Sequence, residues 1–454
     1  MKHNGSIAKS FHLTCLGLAL AMSAAPASAQ EHPSIQNAAP ARYVVIDLGT
    51  LGGSFSLAYG INDNGQIDGF STLPGDNVVH SFLYNHGAMT DLGTLGGPNS
   101  QSFANLNNAT QVAGYAETSI SDPNGEDFCG FGTNLICLGF VWQNGIMTPL
   151  NTLGGSNSQA AAINNRGQVA GYAETGTADP NCPPPQVSQF RPVTWSSGHI
   201  QQLPLYPGDT EGAAFWINNE GDTVGASGSC APYDPRYALP LQPRHALLWR
   251  HGVRPIDLGN LGGELENAAF AINDRDQIVG ASDISGDTYQ HAFLWQRSVM
   301  TDLGTLPGDV VSAAVAISNR GQVTGVSADP NGNIRAFLWQ NGVMYDLNDL
   351  IAGQSPLYLL HGFGVNSSGE IVGFAVNTST GEVHGFLAIP TSSGGGAGRA
   401  SSAAQGGSSG SAKFALPENV RQVLQQSLRF GRFGYEPPDP CLKGSELASG
   451  CKAN

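Results

Sequence analysis

The sequence predicts an all-β fold: a seven-bladed β-propeller of four-stranded antiparallel blades, its ring closed by the N-terminal strand. Three observations lead there. One pattern recurs seven times along the chain, every copy holds short apolar runs divided by turn residues, and the first run of the chain is the one the last copy lacks.

The recurrence is marked by a Gly after the second run, at Gly69, Gly114, Gly171, Gly225, Gly280, Gly325 and Gly373. A period of 45 to 57 residues belongs to propellers and other repeat arrays. Run a reads FAIN at 270–273 and recurs at 59–62, 103–107, 160–164, 215–218, 315–318 and 363–366. Run b reads QIVGA at 277–281, run c HAFLW at 291–295, and run d VMTDL at 299–303. Runs this short are strand-sized and too short for helices, and Val, Ile, Phe and Trp suit a pleated, packed surface. Asn and Gly fill the turns, at 63–65, 165–167, 219–221 and 319–321 between a and b, and at 85–87, 144–145 and 341–342 between c and d. Both residues take positive φ at little cost, as hairpins demand.

A four-stranded meander cannot bury both faces alone, so neighbouring blades must stack. The ends decide how. Residues 43–48 (YVVIDL) form a d run with nothing before it, while the seventh copy has a, b (370–375) and c (384–389) but no d. Pairing 44–46 beside 386–388 closes a ring and removes the exposed edges of an open array. An open β-solenoid has no use for the displaced strand.

Residues 1–29 read as a secretory signal peptide: Lys2 and Lys9, an apolar run from 11 to 22, and the small-residue site 27–29 (ASA). A linker follows at 30–42, the propeller spans 43–390, and 391–412 is a Gly/Ser-rich linker. The tail, 413–454, places Val420, Val423, Leu424 and Leu428 at helical spacing after Pro417. A lone helix of this length is marginal, so it either docks or frays.

The chain carries 20 basic and 35 acidic residues, a formal charge of −15, and only 12% charged residues. An acidic surface disfavours nucleic acid and anionic membranes, and no stretch beyond the leader is long enough for a membrane-spanning helix. Outside the leader stand six cysteines, an even number that suits disulfides in an exported protein. The repeat places Cys129 with Cys137 in one b–c insertion, Cys182 and Cys230 in those of adjacent blades, and Cys441 with Cys451 in the tail. Those three pairs are expected; the rival, metal binding, lacks a CxxC or clustered His.

The phrases HAFLW (291–295), RAFLW (335–339), HALLW (245–249) and DLGTLGG (47–53 and 91–97) resemble the HAF-repeat family of bacterial extracellular proteins. The resemblance covers about residues 43–389. It implies secretion, to the extracellular space or periplasm, and a propeller-like repeat; it implies little about activity. The third blade departs from it with RPVTW at 191–195, and YPGD at 206–209 replaces LGG.

In such a meander the d–a and b–c connections leave one face and the a–b and c–d turns the other. The insertions at 119–138, 175–190, 227–244 and 282–290 all fall on the first, and function favours variable loops over a rigid scaffold. The mouth there is expected to be lined by Gln101, Gln159, Glu211, Glu266, Asn267 and His361, with Asp209 and Asp309 in the loops before them. Glu211 with Glu266 is a candidate carboxylate pair for a cation or acid–base work, against the plainer reading of solvated rim carboxylates.

His80, His245, His291 and His384 share one repeat position with Arg191 and Arg335, and a residue repeated per blade reads as a structural donor rather than a catalyst. The Asp of DLG (Asp47, Asp91, Asp257, Asp302, Asp346) reads as a turn-fixing acceptor, and the Trp ending run c (Trp142, Trp195, Trp249, Trp295, Trp339) as core between blades. Residues 122–127 and 329–333 look like calcium loops but lack the spacing of an EF-hand, so they read as turns; calcium is the one cofactor left open. No G-x-S-x-G, H-E-x-x-H or phosphate loop occurs. The leading expectation is a secreted binding or scaffold module for a glycan or protein, its oligomeric state undefined. The alternative is an extracellular propeller lyase or glycosidase, which requires one acid–base cluster at a single place on the ring.

Overall fold

The computed structural model describes residues 40–102, 106–182, 184, 186–234 and 239–391, without the side chains of 231–240. Outside them lie the expected signal peptide, nearly all of the 30–42 linker, the Gly/Ser linker after residue 391, the tail with Cys441 and Cys451, and residues 103–105 of run a.

Seven four-stranded antiparallel sheets form a seven-bladed β-propeller. Blades I to VI occupy residues 56–91, 96–149, 154–202, 211–257, 262–304 and 311–346, each in the order a-b-c-d. Blade VII takes Leu357–Val365, Ile371–Asn377 and Val383–Pro390 from the C-terminal side and Tyr43–Asp47 from the N-terminal side. Its register sets Val44 opposite Ile389, Val45 opposite Ala388 and Ile46 opposite Leu387, so the ring closes as the sequence predicts.

The marker glycine has a steric cause. Strand a bulges opposite it, with register shifts between Ala58 and Gly60, Ala160 and Ala162, and Ala269 and Ala271. The bulge pushes a backbone carbonyl against strand b: a Cβ on Gly171 would stand 2.0 Å from the Gln159 carbonyl oxygen, and one on Gly280 2.0 Å from that of Ala268. Only glycine fits beneath a bulge this close. We expect Gly280→Ala to lower stability by about 2 kcal/mol or more, because the obstacle is backbone and cannot step aside. Chemical denaturation of the variant measures it; a change under about 0.5 kcal/mol would contradict this reading of the bulge.

Blades cohere through apolar clusters at each seam. Leu83 and Leu92 of blade I meet Val112, Phe140 and Trp142 of blade II, and Leu248 of blade IV meets Phe293 and Trp295 of blade V. The run-c Trp residues are therefore inter-blade core. A further cluster fills the centre of the ring, where Tyr59, Phe215, Phe270 and Phe363 pack together, Tyr59 and Phe363 with centroids 4.2 Å apart. The channel is plugged by aromatic side chains.

The b–c insertions are not purely loops. In blades II, III and IV strands b and c continue beyond the ring as long hairpins, pairing Ser121 with Leu135, Ala178 with Ser188, and Asp234 with Leu239. Two disulfides tie them: Cys129–Cys137 within blade II, and Cys182–Cys230 between blades III and IV. Both pairings match the expectation, and structural disulfides fit an oxidising, extracytoplasmic compartment. Among the described residues no helix is long and apolar enough to cross a membrane.

Candidate functional site

The loop face was expected to open on the channel through the starts of the a strands. The structure corrects this: those residues are committed to internal contacts. Gln101 is fully buried and accepts a hydrogen bond from the Tyr115 hydroxyl. Gln159 accepts one from the Tyr172 hydroxyl and donates to the Phe128 carbonyl at 3.2 Å. Phe128 and Phe131, from the blade II hairpin, lie over Tyr172 and Tyr115 and cap the plug. His361 stacks on Phe363 at 4.0 Å, and burial drives its pKa down to about 3 against the pull of the Gly362 carbonyl, so the ring is neutral. Asn267 accepts from Ser282 Oγ at 2.6 Å and donates to the Arg244 carbonyl. Asp309 takes Ser327 Oγ and the Arg335 guanidinium, both at 2.8 Å. Asp209 takes His245 Nδ1 at 2.8 Å together with the Ser227 hydroxyl. The physical reason is common to all: blade hairpins and central aromatics cover the inner strands, and buried polar groups turn to internal partners, although Gln101 Nε2 has none among the described residues.

Glu211 and Glu266 do not act as the expected rim pair. Glu266, half-buried, accepts from Gln290 Nε2 at 2.9 Å. Glu211 is fully buried and takes the Phe190 backbone N–H at 2.6 Å and Arg191 Nη1 at 3.2 Å. Burial raises its pKa to about 8, over the opposing pull of the Phe190 N–H and Arg191, and the neighbouring Asp179 carboxyl adds to the rise. Cys182 stands beside this pair within ligand distance, but its sulfur is bonded to Cys230, so the three do not form a thiolate metal site.

A second buried acid pair was not anticipated from the sequence. Gln186 Nε2 donates to Glu174 at 2.9 Å and to Glu126 at 3.3 Å, while Glu126 also takes the Val187 and Ser188 N–H groups at 2.6 Å. Burial and the Glu126 charge push the Glu174 carboxyl up. Glu126 lies inside the 122–127 segment that looked like a calcium loop. Asp122 in that segment and Asp329 in its counterpart accept backbone N–H groups two and four residues ahead, as turn residues do. The blade II, III and IV hairpins are thus fastened at one place on the ring: Glu126 links blades II and III, Cys182–Cys230 and the Glu211–Asp179 contact link blades III and IV, and Cys129–Cys137 braces blade II internally.

The repeated His and Asp residues pair as structural partners. His80 meets Asp91 at 2.8 Å, His291 meets Asp302 at 2.9 Å, and His384 meets Asp47 at 2.9 Å across the ring closure. The same Asp oxygens accept the N–H of Gly49, Gly93 and Gly304. In blade VI, Arg335 replaces the His against Asp346. Blade IV departs, its His245 turning to Asp209 instead of Asp257.

A concave feature lies on the opposite, turn-side face. A cavity of about 120 Å³ opens among the seven a–b turns. Two rings of hydrogen bonds surround it. In the inner ring the buried Asn that ends the a run of six blades donates to the next blade's carbonyl, among them Asn62 to Asn107 at 3.0 Å, Asn107 to Asn164 at 2.9 Å, Asn164 to Asn218 at 2.9 Å, and Asn366 back to Asn62 at 3.1 Å; blade VI has Ser318 at this position. In the outer ring the following residue accepts the preceding blade's N–H, as Asn108 does from Asp63 and Asn165 does from Asn108. Sequence reading passed over this face as short hairpins. The pattern that would have found it is the polar residue immediately after every run a: Asp63, Asn108, Asn165, Asn219, Asp274, Asn319 and Ser367.

No protein-family model matches the chain, and no curated protein matches it. Among solved structures it is similar to a puromycin-hydrolyzing peptidase of Mycobacterium tuberculosis, at 13% identity and TM-score 0.43. That match covers 76% of this chain and 56% of the peptidase, so the chain spans little more than half its length. It is also similar to the β-propeller domain of the Trilobed protease from Pyrococcus furiosus, at 11% identity and TM-score 0.41, covering 66% of this chain and 84% of that one. A fucose-specific lectin from Aleuria aurantia is similar at 11% identity and TM-score 0.30, covering 78% of this chain and 100% of the lectin. At these identities the likeness concerns the propeller architecture.

Proposed function

We propose that this chain is an exported propeller of the HAF-repeat kind that works as a binding or scaffold module, recognising a glycan or a protein on the side of the blade II to IV hairpins. One observation carries the reading: three adjacent hairpins rise above an otherwise repetitive ring and are cross-linked there into a single asymmetric surface. Cys182–Cys230 spans two blades, and Glu126 of one hairpin holds the backbone of the next. Fixing protruding hairpins in one arrangement reduces the ordering cost of binding. The acids at this place are buried and occupied by backbone and amide donors, which suits positioning of the hairpins rather than proton transfer to a substrate.

The test is a glycan and peptide array probed with the secreted chain, with calcium present and with it chelated. Specific capture that disappears when Cys182 and Cys230 are both changed to Ser is the expected result. Turnover of a polysaccharide by the wild-type protein, abolished in Glu211→Gln, would replace this reading with the lyase or glycosidase alternative.

A further inference from the structure

The turn-side cavity carries an inference separate from the hairpin surface. Its distinguishing residue is Trp216. Trp216 stands opposite Val224 in blade IV, one residue before the Ile that ends the strand. The same register position holds Gly60 in blade I, Ala162 in blade III, Ala271 in blade V, Ala316 in blade VI and Gly364 in blade VII. Five blades thus keep this position small, and one fills it with the largest side chain available. Trp216 packs against the apolar clusters of three successive seams, III–IV, IV–V and V–VI, so it reaches across the lumen. It remains half-buried, and it lines the cavity. Its indole N–H has no hydrogen-bond partner among the described residues, unlike those of Trp195 and Trp249, which donate to the Asn151 and Pro204 carbonyls. A Trp with an idle donor at the edge of a polar cavity offers an apolar face and a polar handle together.

The rim supplies the complementary groups. In blades I to III the outer-ring residues Asp63, Asn108 and Asn165 are exposed, whereas Asn219, Asp274 and Asn319 are half-buried. Asp274 is saturated, since Asn219 and Asn319 both donate to it at 2.9 Å. Asp63 is exposed and less fully engaged: its Oδ1 accepts the Ser367 N–H at 3.0 Å, while its Oδ2 takes only Asn108 Nδ2 at 3.4 Å. The free sector therefore presents one carboxylate and amide groups, a mixture of acceptors and donors that suits hydroxyl groups, which both donate and accept. Two carboxylates line the cavity, and Arg166, Arg275 and Arg320 follow ring residues directly in sequence, so charge selects neither a cation nor an anion. A volume of about 120 Å³ is on the scale of cavities that take one six-membered ring.

We propose that this cavity binds one ring of a neutral cyclic polyol, a single pyranose unit, with its C–H face on Trp216 and its hydroxyls toward Asp63, Asn108 and Asn165. The proposal is independent of the hairpin surface, which lies on the other face of the propeller.

The test titrates the full chain with free glucose, galactose, mannose, fucose and xylose, read by tryptophan emission and by saturation-transfer NMR. We expect at least one sugar to bind saturably, and Trp216→Ala to weaken it about tenfold or more. The substitution installs the residue that blades III, V and VI carry, so the thermal transition is expected to persist. A second variant, Asn165→Asp, keeps the oxygen that accepts the Asn108 N–H but replaces the amide donor with a carboxylate; it should weaken the same sugar several-fold. Should Trp216→Ala fail to fold, Asn165→Asp decides alone. No saturable binding by any sugar, or binding unchanged in the variants, overturns the proposal. Binding that survives both variants but is lost with the Cys182 and Cys230 substitutions would place the sugar on the hairpin side instead.

Discussion

A chain deprived of Tyr43–Asp47 is expected to lose its cooperative unfolding transition and to become sensitive to protease across blade VII. The strand is short, but its contacts join both ends of the chain. Five residues pair with Val383–Pro390, and without them that strand becomes an open edge. Tyr43 is fully buried in a cluster with Leu347, Leu350, Leu359 and Phe386. Its carbonyl accepts the Ala352 N–H at 2.7 Å, and Arg42 Nη1 donates to the Asp349 carbonyl, fastening the strand to the blade VI–VII connection. His384 loses Asp47 as well. Truncating an aromatic core residue alone costs about 3–5 kcal/mol, a large part of the ~5–15 kcal/mol that holds a domain folded. Three point variants separate the causes. Tyr43→Ala should cost about 3–5 kcal/mol in chemical denaturation. Tyr43→Phe should be close to neutral, because the Tyr43 hydroxyl is buried without a partner. Val44→Ala should also be close to neutral, because Val44 is 47% exposed. A truncated chain with an unchanged transition would show that the ring does not depend on its N-terminal closure.

Much of this architecture was legible because the repeat encodes local rules that recur. A Gly under a bulge, an Asn-Gly hairpin and an apolar run of strand length each have one structural meaning, and seven copies average out local exceptions. The displaced d run, 43–48, fixed the closure because only a ring uses it. The structural roles of the repeated His and of the DLG Asp were each readable for the same reason, because both recur per blade; that they pair with each other, as His291 does with Asp302, was not. What the repeat did not reveal is where it stops being regular. The a-strand starts look like a polar mouth in sequence because Gln101, Gln159 and Glu211 are polar. Their burial depends on Phe128 and Phe131, which arrive from a hairpin whose path no local rule dictates. The pairing of Glu174 with Glu126 spans 48 residues and two blades, and single-sequence patterning carries no term for such a contact. Trp216 was visible as a departure from Ala and Gly only once strand register aligned the blades.

Stability is expected to fall as the pH rises from about 5 to about 8, and Asp68→Ala is expected to remove much of that fall. Asp68 is fully buried in strand Ile67–Thr72, at the register position that holds Ala170, Val224, Val279 and Val372 in other blades. Burial raises its pKa to about 7, and neither carboxyl oxygen has a hydrogen-bond partner among the described residues. An unfolded Asp titrates near 4, so between about pH 4 and about pH 7 the native chain holds a proton that the unfolded chain has released. Stability then declines with rising pH through that window, and by pH 8 the ionised side chain costs about 4 kcal/mol. Glu211 acts with the same sign up to about 8, and Glu174 is raised too. His361 acts oppositely: held near 3 and neutral, it makes stability rise with pH until about 6.5, where the unfolded His has lost its proton. It offsets one of the three carboxyls below pH 6.5 and none above, so the steepest decline lies just below pH 7. In Asp68→Ala the gain at pH 8 should be about 2–3 kcal/mol after the cost of the space the smaller side chain leaves, shrinking toward zero or reversing near pH 4. Denaturation curves of both proteins at pH 4, 6 and 8 measure the difference. A gain that is the same at all three values would mean that Asp68 is ionised in the native chain throughout, and that its buried position is matched by a counter-charge.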